Sequence, residues 1–565
     1  MPVITKRWEV APPPPSEAIQ ELSGYPQILR QILYNRGYRT HEQARLFLEA
    51  QTPPGSQPLN LLNLPKAMDR INYAIQHHEN IVVYGDYDAD GVTATALLGL
   101  ALNALGAEVR EYIPNRFDEG YGLNLEAMRT LSEEGANLII TVDCGIRSWE
   151  EADYARSIGM DLIITDHHYP LDELPNAFAV INPKQAGDNY PEKNLAGVGL
   201  AYKLVEAISL SEKYPNLDSR DYLDLVALGT VADLVPLTGE NRSLVRSGLE
   251  YIRQPLRQGM MALIGVSGLT PARITTTDIS FALAPRLNAS GRLESALASL
   301  HLLTSQDPME VGQLAQWLEI QNRDRQKIMR DIQTKAEKQI IIDDQVPLLL
   351  FAADAEYNPG VVGLAASRLT EQYYRPSIIA SIGEIYTRGS CRSIPEFHIT
   401  QALDQCKDLL EHHGGHAAAA GFTIRNELLQ TLIARMQNIA RQQLEELDLR
   451  PKIFAETEIP LSDLKPDLLK YLGWLQPTGM GNPTPVFMSR ELKVTRQKAI
   501  GADGSHLKLS VTDGKITYDA IAFRQGHWVA QLPQTIDLMY SFELNEFNGQ
   551  ISLQLNVKDI RPSLG

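Results

Sequence analysis

Short apolar runs rich in isoleucine and valine recur between residues 80 and 181, and helix-prone segments separate the first four of them. Runs of this length predict buried strands, and their alternation with helices predicts βαβ units in a parallel sheet covered on both faces. The predicted strands are Ile81–Tyr84, Val109–Ile113, Leu138–Val142, Leu162–Thr165 and Ala177–Ile181. The pattern in residues 1–70 predicts an irregular, helical N-terminal segment, called the lead-in below. Residues 221–265 are also predicted to be helical.

A long polar, helix-prone segment follows from Asp307 to Ile342, with no glycine or proline after Gly312. Because it carries few apolar anchors, it predicts a long helix that connects two lobes. Further elements beyond it predict a second α/β lobe that runs to about residue 447. These elements are a strand at Val346–Ala352, a helix at Gly360–Leu369 and a strand at Ser377–Ser381.

The last hundred or so residues alternate apolar and polar positions in short runs. Strands spaced in this way predict a small all-β, barrel-like unit. The runs are Leu507–Val511, Thr517–Phe523, Ile536–Phe542 and Ile551–Val557. The predicted fold class is therefore α/β, with two α/β lobes joined by a long helix and a C-terminal β-barrel.

Composition narrows the class of protein. Of 565 residues, 44% are apolar and 21% are charged, which excludes a disordered chain and a multispan membrane protein. The longest weakly polar stretch, residues 91–107, is short for a membrane span and predicts a buried helix. The N-terminal residues lack the apolar core of a secretory signal, and the three cysteines form no CxxC pair. A reduced, cytoplasmic location is the expectation.

The formal net charge is −17, from 52 lysines and arginines against 69 aspartates and glutamates. A protein that coats nucleic acid without specificity is usually basic, so this class is excluded. An acidic chain can still bind phosphates in a local basic groove.

Carboxylates follow three of the predicted strands directly. They lie in GDYDADG after Ile81–Tyr84, at Asp143 after Leu138–Val142, and in DHH (residues 166–168) after Leu162–Thr165. Because parallel strands end at a common sheet edge, these groups are expected to converge there. Clustered carboxylates repel one another unless a cation compensates them. Oxygen and imidazole ligands suit Mn²⁺ or Mg²⁺. Zinc is not indicated, because the motifs contain no pair of cysteine thiolates.

Two such ions about 3.5–4 Å apart would stabilise an in-line displacement at phosphorus. The predicted ligands are Asp88, Asp90, Asp143 and His167, with Asp233 added below. Asp86 and His168 are predicted catalytic residues: Asp86 to hold a water or position the loop, and His168 to orient a phosphate or support the ligands. An isolated DxDxD is also typical of a plain turn, but three strand-end motifs at βαβ spacing favour a site.

Several motifs resemble one known superfamily. GDYDADGVTAT, TVDCGI and DHHYP are similar to successive motifs of the DHH phosphoesterases, and GGHAAAAG at Gly414–Gly421 is similar to the companion DHHA1 domain. LQPTGMGNPTPVF at 475–487 and GSHLKLSV at 504–511 resemble the OB-fold of the RecJ-type enzymes, which are single-strand-specific 5′→3′ DNA exonucleases. The resemblance runs from about residue 75 to the end of the sequence.

The resemblance implies a division into domains. It gives a lead-in at 1–70, a DHH domain at 71–300, a connecting helix at 301–345, a DHHA1 domain at 346–447 and an OB-fold at 451–565.

The resemblance also implies roles for individual residues. Two Mn²⁺ or Mg²⁺ ions would be held by Asp88, Asp90, Asp143, His167 and Asp233. Without the resemblance, Asp233 in GTVADLVPL would be interpreted as a helix cap or a turn residue. A phosphate-binding role is implied for Arg116, Arg286, Ser390, Arg392 and His416. The alternative for GGHAAAAG is a packed turn and helix start with a structural histidine.

The implied activity is metal-assisted phosphodiester hydrolysis that releases 5′-mononucleotides from single-stranded DNA with a free 5′ end, in DNA repair and recombination. The resemblance leaves a helicase and a single-strand-binding protein open as partners. Two alternatives remain: a phosphodiesterase for oligoribonucleotides or cyclic dinucleotides, and a non-catalytic scaffold. The predicted barrel disfavours the first alternative, and the intact metal motifs disfavour the second.

Some positions depart from the RecJ-type pattern. Asn358 stands where a histidine is usual, Cys391 replaces a glycine, Thr478 replaces a phenylalanine, and Tyr84 occupies a position that is histidine in some relatives. These departures concern substrate placement and leave the predicted ligands intact. Candidate base-stacking aromatics in the barrel are Phe487, Phe523, Trp528 and Phe547, although each is also typical of a barrel core.

Overall fold

A computed structural model describes residues 5–115, 119–120, 122–343, 345–547 and 550–563. The chain divides into two compact units. The larger unit contains residues 10–319 and 454–565, and the smaller unit contains residues 1–9 and 320–453. Over these described ranges, no helix is long and apolar enough to cross a membrane.

The described residues form the following elements. The strands are β1 Arg7–Val10, β2 Asn80–Gly85, β3 Glu108–Tyr112, β4 Leu138–Val142, β5 Asp161–Thr165, β6 Ala179–Ile181, β7 Leu350–Asp354, β8 Ser377–Ile382, β9 Tyr386–Arg392, β10 Leu410–Gly415, β11 Ala419–Arg425, β12 Lys452–Ala455, β13 Thr457–Glu458, β14 Phe487–Ile500, β15 His506–Thr512, β16 Thr517–Ala522, β17 Thr535–Phe547 and β18 Gln550–Pro562. The α-helices are α1 Ser16–Glu21, α2 Gln27–Asn35, α3 His41–Glu49, α4 Leu64–Gln76, α5 Ala89–Ala104, α6 Leu125–Glu133, α7 Trp149–Ser157, α8 Gly197–Ser209, α9 Leu223–Ala232, α10 Gly239–Arg253, α11 Gln258–Val266, α12 Thr276–Asp278, α13 Ala284–Leu293, α14 Leu297–Thr304, α15 Pro308–Ile340, α16 Val362–Tyr373, α17 Ile399–Asp404, α18 Leu429–Leu444 and α19 Pro466–Gly473.

The larger unit contains the predicted parallel sheet. Its strand order is β3-β2-β4-β5-β6, and every neighbouring pair is parallel. Helices α5, α6 and α7 connect β2, β3, β4 and β5 in chain order, as the alternation of apolar runs predicts. The side chains of β4 are wholly buried, which is the burial expected of a strand with both faces covered. The predicted buried helix at 91–107 corresponds to α5.

The C-terminal part of the larger unit is a closed five-stranded barrel, which confirms the predicted architecture. Strands β14, β15, β16, β18 and β17 pair in this order, and β17 pairs back to β14. The first barrel strand, β14, is absent from the sequence prediction because two register shifts interrupt its alternation.

Helices α2 and α3 of the lead-in pack with the barrel, whereas the start of α4 packs with the parallel sheet. Leu29, Leu33 and Phe47 belong to the same apolar core as Leu509 and Tyr540 of the barrel. Residues 10–49 are therefore an integral part of the core beneath the barrel.

The smaller unit contains a mixed sheet of order β10-β11-β9-β8-β7, in which only β7 and β8 run parallel among the described strands. Its first strand begins at Leu350, later than the predicted Val346. The glycine- and alanine-rich segment 414–421 lies in the β10–β11 hairpin, so the alternative interpretation as a helix start is wrong. The predicted connecting helix is α15, which spans the boundary between the two units.

Candidate metal centre

The predicted acidic motifs meet at one edge of the parallel sheet. β2, β4 and β5 are adjacent, and Asp86, Asp143 and Asp166 follow their carboxyl ends. Asp143 turns out of its strand with a φ of +63°, a left-handed conformation that aspartate tolerates better than most residues. Its backbone N–H still donates to Thr165 O at 3.0 Å, so the turn is fixed to the neighbouring strand.

The turn after β2 is organised by the start of helix α5. Asp88 is the N-cap residue, and its Oδ1 accepts hydrogen bonds from the backbone N–H groups of Asp90 at 2.9 Å and Gly91 at 3.1 Å. The N-cap therefore fixes the spacing between the carboxyl groups of Asp88 and Asp90.

Three overlapping groups of side chains have ligand atoms within 4.8 Å of one another. The groups are Asp86, Asp88 and Asp143; Asp90, His167 and Asp233; and Asp143, His167 and His168. Every predicted ligand occurs in at least one group. Asp143 and His167 each belong to two groups, and a carboxylate such as that of Asp143 can contact two neighbouring ions.

His167 lies at the centre of these groups. Its Nε2 is 3.1 Å from Oδ1 of Asp143, 3.6 Å from Oδ2 of Asp233 and 4.0 Å from Oδ2 of Asp90. Although the imidazole is buried, its Nε2 makes no hydrogen bond within the described part of the chain. A buried imidazole nitrogen facing carboxylate oxygens fits a divalent cation between them.

The electrostatics of the cluster also fit a cation. Burial, followed by the charges of Asp90 and Asp88, raises the pKa of Asp143 well above its usual range. Burial and the charges of neighbouring aspartates raise the pKa of Asp90 to about 7 and that of Asp233 to about 9. Burial, then the charge of His168, lowers the pKa of His167 to about 3, which keeps the imidazole in the neutral form that binds metals. These carboxyl groups lie so close together that they cannot all be ionised unless a cation offsets their mutual repulsion.

Asp166 holds His168 in place. Its Oδ1 lies 2.7 Å from Nδ1 of His168 and accepts from the His168 backbone N–H, while its Oδ2 accepts from the N–H of Ile146. Burial alone would raise the pKa of Asp166, but the hydrogen bonds of His168 lower it. The same contact raises the pKa of His168 against the opposing effect of burial. Asp166 is thus an orienting residue, and it is absent from the predicted site.

The N-terminus of α8 binds Asp90, a contact that sequence reasoning missed. The backbone N–H groups of Gly197 and Val198 donate to Oδ2 and Oδ1 of Asp90 at 2.7 and 2.9 Å. A Cβ atom on Gly197 would lie 2.5 Å from Cβ of Asp143, so only glycine fits there. The glycines of the segment AGVGLA are the signal that could have indicated this close approach.

Helix α13 supports the turn after β2 from another side. Oδ1 of Asn288 accepts from the backbone N–H of Ala89 at 2.8 Å, and a Cβ on Gly291 would lie 2.7 Å from Tyr87 O. The segment APRLNASGR therefore contacts the turn that carries the candidate metal ligands, through Asn288 and Gly291. Arg286, its predicted phosphate ligand, donates from Nε to Glu319 at 2.7 Å.

The other predicted phosphate ligands are distributed over the chain. Ser390 and Arg392 lie together on β9 of the smaller unit, where Nη1 of Arg392 is 3.3 Å from Oγ of Ser390. His416 is exposed in the β10–β11 turn. Arg116 lies outside the described residues.

Three of the departures from the family pattern have a local structural role. Oδ1 of Asn358 accepts from the N–H of Gly360 and forms a turn before α16. Cys391 is buried in the core of the smaller unit. The hydroxyl of buried Tyr84 donates to Gly122 O at 3.0 Å.

Of the barrel aromatics, Phe487 is fully buried and Trp528 is half-buried against the core, whereas Phe523 is exposed. The side chain of Phe547 lies outside the described residues.

Three family models match the chain. The DHH family, N-terminal domain, matches residues 80–230; the DHHA1 domain matches residues 345–442; and the RecJ OB domain matches residues 455–559.

Several relatives match nearly the whole of this chain. The single-stranded-DNA-specific exonuclease RecJ of Bacillus subtilis (strain 168) is 38% identical over 559 residues, which cover 98% of this chain and 70% of the relative. The protein of the same name from Escherichia coli (strain K12) is 35% identical over 563 residues, with coverages of 95% and 96%. The crystal structure of RecJ in complex with Mn²⁺ from Thermus thermophilus is 30% identical, with a TM-score of 0.85 over 99% of this chain and 80% of that one. The chain belongs to the RecJ family.

Proposed function

We propose that this protein is a single-stranded-DNA-specific exonuclease that degrades DNA from its 5′ end with two Mn²⁺ or Mg²⁺ ions. The observation that carries the proposal is the convergence of seven carboxyl and imidazole groups at the carboxyl edge of the parallel sheet. The metal-ligand groups named above suit two neighbouring ions, and the family contains nucleases. We further propose that the products are 5′-mononucleotides and that the activity serves DNA repair and recombination.

In this proposal Asp88, Asp90, Asp143, His167 and Asp233 hold the ions, and Asp86 joins them, since it groups with Asp88 and Asp143. Bound ions would lower the pKa of a water and offset charge on the phosphate. Asp90 is held by the α8 amides and cannot swing away as substrate enters. His168 is held by Asp166 and is 44% exposed, so it can donate a hydrogen bond to a phosphate oxygen.

The remaining predicted residues are proposed to recognise the strand. Ser390 and Arg392 form a hydroxyl–guanidinium pair suited to a terminal phosphate, since guanidinium groups pair with phosphate oxygens in two-point geometry. Arg116, Arg286 and His416 are proposed phosphate contacts.

The barrel supports a single-stranded substrate because OB-folds bind strands through a groove and exposed aromatics. A helicase and a single-strand-binding protein are proposed as partners, since each would supply unpaired DNA. We place the activity in the cytoplasm because all three cysteines are buried and free of disulfides, which suits a reducing compartment.

The test uses internally labelled single strands, Mn²⁺ and two substrates, one blocked at the 3′ end and one blocked at the 5′ end. Release of mononucleotides only from the strand with a free 5′ end is the expected result, and Asp143→Ala should release none. Release only from a free 3′ end would overturn the polarity. Rapid cleavage of short oligoribonucleotides or a cyclic dinucleotide, with both long strands intact, would favour the small-substrate phosphodiesterase.

A further inference from the structure

An exposed aromatic ring follows the DHH motif directly. Tyr169 is 63% exposed, although its chain neighbour His168 contacts the metal ligands. A tyrosine side chain has few rotatable bonds, so it offers a large flat surface at a small entropic cost. A ring in this position is available to a nucleotide that enters the metal centre.

The backbone on both sides of this ring is fixed. Asn182, which is fully buried, donates from Nδ2 to His168 O at 2.8 Å. Arg147 donates from Nη2 to Tyr169 O at 3.2 Å. The ring is therefore carried on a rigid turn, although it lies at the surface.

Two cationic side chains lie close to Tyr169. Nζ of Lys184 lies 4.6 Å from the ring centroid and donates to the backbone oxygen of His167, which places it beside a predicted metal ligand. The backbone N–H of Lys184 donates to Oδ1 of Asn182, so the lysine is attached to the same turn. Arg147 is exposed, and its guanidinium contacts the backbone oxygen of Tyr169. Both cations keep N–H groups beyond the bonds named here, in a chain whose net charge is −17.

We propose that Tyr169, Lys184 and Arg147 form a nucleotide subsite at the rim of the metal centre. A base of the bound strand stacks on the Tyr169 ring, and the adjacent phosphates contact Lys184 and Arg147. This inference rests on the proposed function. It adds a site that binds one nucleotide of the strand beside the cleaved bond. Stacking on tyrosine accepts every base, which suits an enzyme that must degrade any sequence.

The first experiment removes the ring. Tyr169→Ala should raise KM for single-stranded DNA about tenfold, within the range for one base–aromatic stack, whereas Tyr169→Phe should stay within about twofold of wild type. Tyr73→Ala is the matched control, since Tyr73 is 50% exposed beside Arg70 but lies on α4, before the opposite end of β2. Mn²⁺ affinity, measured by calorimetry, should be the same in all four proteins. Equal KM values for Tyr169→Ala and Tyr73→Ala would overturn the stacking role.

The second experiment tests the cations through ionic strength. Each phosphate contact on a single strand contributes about −0.7 to the slope of log affinity against log salt. Lys184→Gln and Arg147→Gln should each flatten the slope by about this amount, and Lys184→Arg should restore it. An unchanged slope together with weaker Mn²⁺ binding in Lys184→Gln would make Lys184 a positioning residue for His167 and would overturn its phosphate contact.

A binding measurement separates the subsite from the exonuclease activity. Metal-free protein is titrated into an oligonucleotide containing 2-aminopurine, whose fluorescence is quenched when it stacks. Quenching by wild type and Tyr169→Phe but not by Tyr169→Ala would support the subsite even if wild type released no mononucleotides. Full wild-type degradation combined with equal quenching by Tyr169→Ala would overturn the subsite and leave the exonuclease proposal standing.

Discussion

The carboxyl group of Asp233 links the stability of the metal-free protein to pH. Its pKa is raised to about 9 by burial and by Asp90 and Asp88. The folded chain therefore holds this proton more tightly than the unfolded chain does, for which the pKa is about 3.9. Below the pKa of the unfolded chain, the Asp233 carboxyl does not lower the free energy of unfolding. Above the pKa of the folded chain, it lowers the free energy of unfolding by its full amount.

We expect metal-free Asp233→Asn to be more stable than wild type by a margin that grows as pH rises. Between about pH 5 and pH 9 its advantage in Tm should increase by at least about 2 °C, because each pKa unit of difference is worth about 1.4 kcal/mol and roughly 1 kcal/mol shifts Tm by about 2 °C in a large domain. Thermal denaturation in EDTA, followed by circular dichroism, measures the difference. Asp519→Asn, an exposed carboxyl on β16, is the control, and an advantage for Asp233→Asn that is flat in pH would contradict the raised pKa.

Gly197 is the residue that sets how closely Asp143 approaches α8. Gly197→Ala would place a methyl group where Asp143 now lies. We expect Mn²⁺ affinity to fall about tenfold or more, the usual cost of disturbing residues that support metal ligands. Calorimetric titration measures this loss. The control is Gly199→Ala in the same helix, where a Cβ meets only the Leu195 side chain at 3.4 Å, and equal affinities in the two variants would refute the explanation.

At the scale of elements, the sequence predicted secondary structure best where the local hydrophobic pattern agrees with the burial of the side chains. The apolar runs of β2, β4 and β5 are continuous because both faces of these strands are buried, and so their acidic ends could be placed at one edge. The β10–β11 hairpin was missed because glycine and alanine carry little strand signal. The supports at Asn288 and Gly197 were missed because each acts through a backbone contact between segments far apart in sequence.

Helix α13 offers an element-scale prediction. Asn288→Ala removes the acceptor for the Ala89 N–H at the start of α5. The turn that carries Asp86 and Asp88 loses one of its fixed points, so we expect Mn²⁺ to bind several-fold more weakly while Tm changes by only a few degrees. The pair of measurements is informative because a purely structural role would lower Tm and leave Mn²⁺ affinity unchanged.

At the scale of the whole molecule, the proposed metal ligands all belong to the larger unit. Binding that is confined to the folded state stabilises by about 2.7 kcal/mol at a ligand concentration one hundred times Kd. We expect Mn²⁺ to slow hydrogen exchange most in residues 80–240 and to leave the β8–β9 region of the smaller unit nearly unchanged. Exchange followed by mass spectrometry measures this pattern, and Asp143→Ala should abolish it. Equal protection in both regions would contradict a site built from one unit.

The family and the overall architecture could be predicted because motifs spaced along the chain identify them. The packing of the lead-in could not be predicted. No local pattern indicates that Leu29, Leu33 and Phe47 share a core with strands more than four hundred residues later in the chain. Such contacts depend on the complementarity of distant surfaces.

That shared core has a consequence for how the protein is made. Helices α2 and α3 leave the ribosome early, whereas the barrel strands that cover their apolar faces are synthesised about 440 residues later. At about 5–20 residues per second, the helices wait roughly 20–90 s for their partners. During translation their apolar faces need either a temporary cover within the nascent chain or a chaperone, and the last hundred residues complete a core that the first fifty began.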